Sequence, residues 1–292
     1  MARYLLDKDG SRWLEIDGDD AYVKAITKLL GLVIAQNAVG AALLSAIAGT
    51  GKTMTIKPYT EKDAQRNGRC NAYADPDDYD DASPDGPFYA GREDDPDTED
   101  DERYERMTRG RWIFERNRTG NGSGSDVDVH FSDSVWGKSG CSGGVYGSMP
   151  DEVLVHEMVH GLRAMLGVFN RIPTDGDHKV YLNQEEFHAI VVANVYLSAK
   201  GSDQLRADHS GFAPLAAAQT TSAGFLSDTW NAFYVWRLTV GAGTLPHDVS
   251  LATAITFNPI AEFMARPGKY LPADLMASST SMEALKRYML RR

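Results

Sequence analysis

The longest apolar run in the chain, residues 29–48 (LLGLVIAQNAVGAALLSAIA), is interrupted by Gln36, Asn37 and Ser45 and divided at Gly40. A membrane span needs roughly 18 or more apolar residues, whereas runs of about 10 to 14 are usually buried helices. The pattern therefore predicts two short core helices and no membrane span. Residues 53–59 then alternate apolar and polar positions, as a half-buried strand does, and residues 111–116 and 126–131 read as further strands. Residues 153–167 carry Leu154, Val155, Met158, Val159, Leu162, Met165 and Leu166 around most of a helix, the pattern of a helix buried in a core. Residues 183–196 (NQEEFHAIVVANVY) predict a second largely buried helix that opens on two acids. Beyond Pro214, residues 230–238, 259–265 and 282–291 read as helices, with a turn around 241–246. The succession predicts an α+β fold: a small mixed sheet beside a buried helix, followed by a mostly helical C-terminal lobe.

Charge divides the chain. Residues 75–105 hold fifteen acids against Arg92 and Arg103, with Pro76, Pro84, Pro87 and Pro96 among them. Like charges repel and prolines break regular elements, so residues 75–106 are expected to form a solvated, disordered insertion. It separates residues 1–74, expected to be part of the catalytic unit, from the core and helical lobe at 107–292. The insertion accounts for the net charge of -11 and leaves no basic surface, which argues against nucleic-acid binding. No EF-hand spacing appears in it. Residues 49–53 (GTGKT) imitate the end of a phosphate-binding loop, but position 46 is Ala where that loop needs Gly, and the predicted order is helix, turn, strand. The N-terminus has no cleavable secretory signal, so export is expected to use a route that needs none. Cys70 and Cys141 are too few for a disulfide framework; one bridge between them is possible, and free thiols are the expectation.

The candidate chemistry lies in His156-Glu157-Met158-Val159-His160, inside the first buried helix. Residues four apart share a helix face, so two imidazoles at this spacing can hold one zinc ion. Glu157 then lies beside the ion, where a general base takes a proton from water. Zinc needs a third protein ligand. The acidic pair opening the next helix supplies it, because a buried carboxylate requires a cation. Glu186 is preferred and Glu185 is the alternative; adjacent helical positions point about 100° apart, so one ligates and the other is free to hydrogen-bond a ligand histidine. His209 and Arg206, in a polar cluster after this helix, are candidates for steadying the oxyanion, with an ordinary hydrogen-bonded turn as the alternative reading. Tyr181, Tyr196, Tyr234 and Tyr270 are weaker candidates, with core packing as their default role. His130 is expected on a strand surface and His178 in a solvated turn. The strand at 126–131 is expected to form the cleft edge to which an extended peptide adds. Residues 139–147 are expected as a flexible glycine-rich loop at its mouth.

These segments resemble gluzincin metallopeptidases, and more narrowly the NleD-type effector proteases that pathogenic bacteria inject into host cells. The resemblance is carried by residues 120–132 (GNGSGSDVDVHFS), 153–167 (VLVHEMVHGLRAMLG) and 183–196, and spans roughly 120–212. It implies a zincin-like fold, a zinc site completed by a glutamate on the following helix, protein or peptide substrates, and a secretion-system or immunity partner. It also implies delivery into another cell, against which cytoplasmic residence is the alternative. A clostridial neurotoxin light chain is similar at the paired glutamates, where the second ligates; this favours Glu186. The rival reading is a non-catalytic secretion-system protein whose zinc only staples two helices, closed by His188 or His209 as fourth ligand.

Overall fold

The computed structural model describes residues 3–6, 10–92, 104–105, 112–172, 174, 181–209, 211–239 and 256–277. His178, the turn at 241–246 and the helix expected at 282–291 lie outside the described residues.

Alternating strands build a mixed five-stranded sheet from β1 (Arg3–Leu6), β2 (Arg12–Ile16), β3 (Met54–Lys57), β4 (Tyr73–Pro76) and β8 (Val127–His130), in the order β1-β2-β3-β8-β4. β2, β3 and β8 run parallel, and β1 and β4 flank them antiparallel. Val127 and Val129 of β8 are buried while Asp128 and His130 face the other side, as period two requires. The remaining strands, β5 (Gly86–Arg92), β6 (Tyr104–Glu105) and β7 (Trp112–Gly120), form an antiparallel sheet in the order β5-β7-β6.

The apolar run forms α1 (Asp20–Leu29), a π turn (Leu30–Ile34) and α2 (Ala38–Ala48), with a 119° bend between the two halves. Asn37 makes the break by accepting hydrogen bonds from the N–H groups of Val39 and Gly40. Gly40 lets α2 start against the preceding turn, since a Cβ there would lie 2.2 Å from the Ile34 carbonyl oxygen. Among the described residues no single helix is long and apolar enough to cross a membrane.

The helix expected at the centre is α5 (Pro150–Met165), packed against β4 and β8 on one side and against α6 (Gln184–Ala199) on another. Gly161 allows the close approach to the sheet, because a Cβ would meet Met54, Val127 and Val129. Asp151 and Glu152, the acidic first turn of α5, are buried and both accept from Lys200 Nζ, at 2.6 and 2.7 Å, which clasps the far end of α6. The helical lobe comprises α7 (Ser222–Leu226), α8 (Thr229–Thr239), α9 (Pro259–Ala265), α10 (Pro267–Tyr270) and α11 (Ala273–Ala277). Phe187 of α6 packs on it through Phe225 and Tyr234.

Two expectations are corrected here. The acidic stretch is not free of regular structure from residue 75: β4, which follows α3 (Glu61–Asn67), ends at Pro76, α4 (Tyr79–Ala82) comes next, and β5 begins at Gly86. Its aspartates act as local acceptors, Asp78 capping α4 and Asp81 taking a hydrogen bond from Asn121 Nδ2 at 2.6 Å. Residues 93–103 and 106 lie outside the described residues. Cys70 and Cys141 are joined as a disulfide, with Cα atoms 5.6 Å apart. They are 71 positions apart in sequence, and the pairing of β4 with β8 brings the segments that carry them near each other.

Candidate metal centre

Asn183 accepts a hydrogen bond from the Glu186 N–H at 2.9 Å and so fixes the first turn of α6, which faces His156 and His160 on α5. Glu186 Oε2 lies 3.2 Å from His156 Nε2 and 3.3 Å from His160 Nε2, and the two nitrogens are 3.1 Å apart. Tetrahedral zinc with donors at about 2.0–2.1 Å separates them by about 3.3 Å, so two imidazoles and a carboxylate in this triangle fit such an ion. Glu186 Oε2 is also buried without a hydrogen bond of good geometry, although nitrogens surround it. The group can therefore hold a metal. Among the described residues no further His, Cys, Asp or Glu joins it.

Glu185 points elsewhere. Its two oxygens take Arg163 Nε at 2.7 and 2.9 Å, one also accepts from the Asn170 N–H at 2.9 Å, and the other lies 3.5 Å from His160 Nδ1. It thus backs the outer nitrogen of His160. Arg163, 1% exposed, went unread in the sequence. Its signal was there: an arginine three residues after His160, on the same face of an apolar helix.

The electrostatics match a site built for a cation. Burial alone lowers the pKa of His160, but the charge of Glu186, hydrogen bonds with Glu185 and Glu186, and the charge of Glu157 outweigh it and raise the value to about 10. Burial, helped by the charge of His160, pushes His156 down to about 3. Burial opposes ionisation of Glu186 too, yet His209 and His160 hold it well below the usual carboxylate range. Glu157, 5% exposed, is raised to about 7, chiefly by burial. Its carboxyl can exchange a proton near neutrality.

Two cavities meet at Glu157. One, about 160 Å³, is lined by His160, Glu186 and the stretch 71–74; the other, about 370 Å³, by His156, Trp136, Leu182, Phe212 and Cys70. His209 borders both, with Nδ1 2.7 Å from Glu186 Oε2. Its loop is anchored by Asn194 of α6, which exchanges two hydrogen bonds with the backbone of Arg206 at 2.8 and 2.9 Å. The Arg206 guanidinium donates to the carbonyls of Asp208 and His209 and lies 4.0 Å from the centre of the Phe212 ring. Arg206 thus shapes the loop that presents His209. Among the described residues Ser142, Leu182 and Phe212 are the non-glycine residues in the left-handed region, and Leu182 and Phe212 line the larger cavity. Such backbones cost about 1–3 kcal/mol each and persist where surroundings impose them.

The remaining candidates sit apart from the donors. His188 is buried, facing Arg163 and Arg237, and burial with those charges holds its pKa well below the usual value. His130 stacks on Tyr73 at 4.4 Å. Tyr181, Tyr196, Tyr234 and Tyr270 line neither cavity; Tyr196 donates to Asp151, Tyr270 to Glu262, and Tyr181 and Tyr234 pack on Phe187. The expected cleft edge is corrected: β8 is interior, hydrogen-bonded to β3 and β4, and the strand bordering the cavity is β4, through Tyr73 and Ala74.

A family model of the M91 peptidases, described as effector protein, matches residues 11–194. The chain belongs to this family of effector peptidases. The match runs from β2 into α6 and contains Glu157, His156, His160, Glu185 and Glu186, whereas Arg206 and His209 lie beyond it. An effector peptidase is a hydrolase with protein substrates, and membership suggests delivery into host cells. No match to the chain was found among curated proteins or among solved structures.

Proposed function

We propose that this effector peptidase is a zinc-dependent endopeptidase of the gluzincin type with a zincin-like active site. One observation carries the reading: His156, His160 and Glu186 converge within 3.3 Å, with no further donor in the group among the described residues, beside a buried glutamate that opens on a cleft. A closed structural site has a fourth protein ligand, a catalytic one leaves a position for water. His188 and His209, the candidates for closing it, stand outside the donor group.

Zinc held by these donors would lower the pKa of a bound water to about 7 and polarise a substrate carbonyl. Glu157 takes the proton of the attacking water and returns it to the leaving amine. Glu185, clamped by Arg163, keeps the His160 ring turned toward the donor triangle. His209 offers an imidazole at the cleft wall to the developing oxyanion. The main chain of β4 is the edge along which an extended peptide lies, held by backbone hydrogen bonds. The setting that fits is injection into a host cell, where the substrate is a folded protein with an extended segment.

The test is to incubate zinc-loaded protein with host-cell lysate and map new protein termini by mass spectrometry. The parent is expected to generate specific cleavages, and Glu157→Gln to lose them by about 10²-fold or more while keeping its metal. A Glu157→Gln protein that cleaves at the parent rate would sink the mechanism.

A further inference from the structure

We propose that the elbow between α1 and α2 docks on an anionic lipid surface, holding the protein at a membrane without spanning it. Between Asp20 and Glu61 the chain carries Lys24, Lys28, Lys52 and Lys57 and no acid, in a protein whose net charge is -11. Lys57 is paired with Asp128, whereas Lys24 and Lys28 are exposed on α1. The helix runs on from α1 through the π turn, where Leu30 and Ile34 are buried in the core and Gly31, Leu32 and Val33 face outward. Leu32 is 67% exposed, the most of any large apolar side chain among the described residues, and Val33 is 38% exposed. A Cβ at Gly31 would meet nothing within 4 Å, so the tip stands clear of the rest of the fold. Beyond the bend, the exposed positions of α2 are Ala38, Ala41 and Ser45, all uncharged.

The spacing suits a bilayer interface. Lys24, Lys28 and Leu32 follow one another at intervals of four, so they lie along one side of the helix. At about 1.5 Å per residue, Lys28 stands about 6 Å and Lys24 about 12 Å behind Leu32 along the axis. An apolar tip buried by about 5–10 Å therefore brings the ammonium groups to the level of the lipid phosphates. Asp20, the last acid before the elbow, is about 18 Å from Leu32 along the helix, beyond the screening length of about 8 Å in physiological salt. A second copy on this face would set the same lysines against each other across a two-fold contact; lipid phosphates neutralise them. Asn37, at the bend, donates to the Tyr196 carbonyl at 3.4 Å. Tyr196 is about 15 Å along α6 from Glu186, so docking at the elbow leaves the cleft open to substrate.

The test is flotation of the full chain with vesicles of phosphatidylcholine alone and of phosphatidylcholine and phosphatidylserine in equal parts. Binding is expected on the mixed vesicles and should weaken by about tenfold or more on phosphatidylcholine alone. Raising salt from about 0.1 M to about 1 M should weaken it as well. Leu32→Asp is expected to lose about tenfold or more on the mixed vesicles, and Lys24→Glu/Lys28→Glu a similar amount, each with the melting temperature of the parent. A parent that does not bind the mixed vesicles, or binding that ignores Leu32→Asp, overturns the proposal. So does a concentration-dependent dimer, seen by sedimentation without lipid and dissolved by Leu32→Asp, which gives this face to a second copy. Binding is read without turnover, so none of these outcomes bears on the peptidase reading.

Discussion

At the scale of single residues, the candidate site is a set of groups whose ordinary charges are shifted by their neighbours. His160 in the metal-free protein has its pKa raised to about 10, from the ordinary histidine value of 6.5. The folded state then binds a proton that the unfolded state releases between those values, so this group stabilises the fold fully below pH 6.5 and its contribution is lost as pH rises toward 10. Glu157, raised to about 7, and His156, lowered to about 3, change protonation at lower pH, which leaves the window from 7 to 10 to His160. Melting temperature of chelator-treated protein is expected to fall across that window, and His160→Gln to flatten the slope. A metal must displace the same proton. Calorimetry of zinc binding at pH 7.5 in buffers of differing ionisation enthalpy should show about one proton released per ion. Arg163→Met removes the partner of Glu185 and is expected to weaken zinc affinity by about 10–100-fold while leaving the donors in place.

Elements explain why these residues meet. α5 is buried along its length and is pinned at its end by the glycine loop that precedes β8. Gly124 has φ +79°, and a Cβ there would lie 2.0 Å from the Met165 carbonyl oxygen. Gly124→Ala should therefore destabilise the protein by about 3 kcal/mol or more in chemical denaturation, far above the cost of an ordinary surface change. The disulfide closes 71 residues of chain, for which loss of unfolded-state entropy predicts up to about 4 kcal/mol of stabilisation. Denaturation with and without reductant measures it directly. α5, α6 and β8 were legible in the sequence because their apolar periodicity is strong and continuous. β4 was not: four residues of Tyr, Ala, Asp and Pro carry no strand signal, and the sheet takes them only through pairing with β8.

Across the whole molecule, what sequence conveys well is local and what it conveys poorly is contact between distant segments. The spacing of His156 and His160 and the acids opening α6 point, from neighbouring positions alone, to the group that could hold a metal. The Cys70–Cys141 bond, the seating of Arg163 on Glu185 and the clasp of Lys200 on Asp151 and Glu152 each join distant parts of the chain, and no periodicity announces them. Acidic composition misled for the same reason, since Asp78 and Asp81 find partners that composition does not reveal. The fold packs a five-stranded sheet against α5, and α5 against α6, and the donors lie where the two helices face each other. The most direct test of the account is native mass spectrometry of protein purified without added metal or chelator, comparing the parent with Glu186→Ala and Glu185→Ala. The account predicts one zinc ion per chain in the parent, lost in Glu186→Ala and retained, though more weakly, in Glu185→Ala. A parent that neither carries zinc nor takes it up when supplied would contradict it.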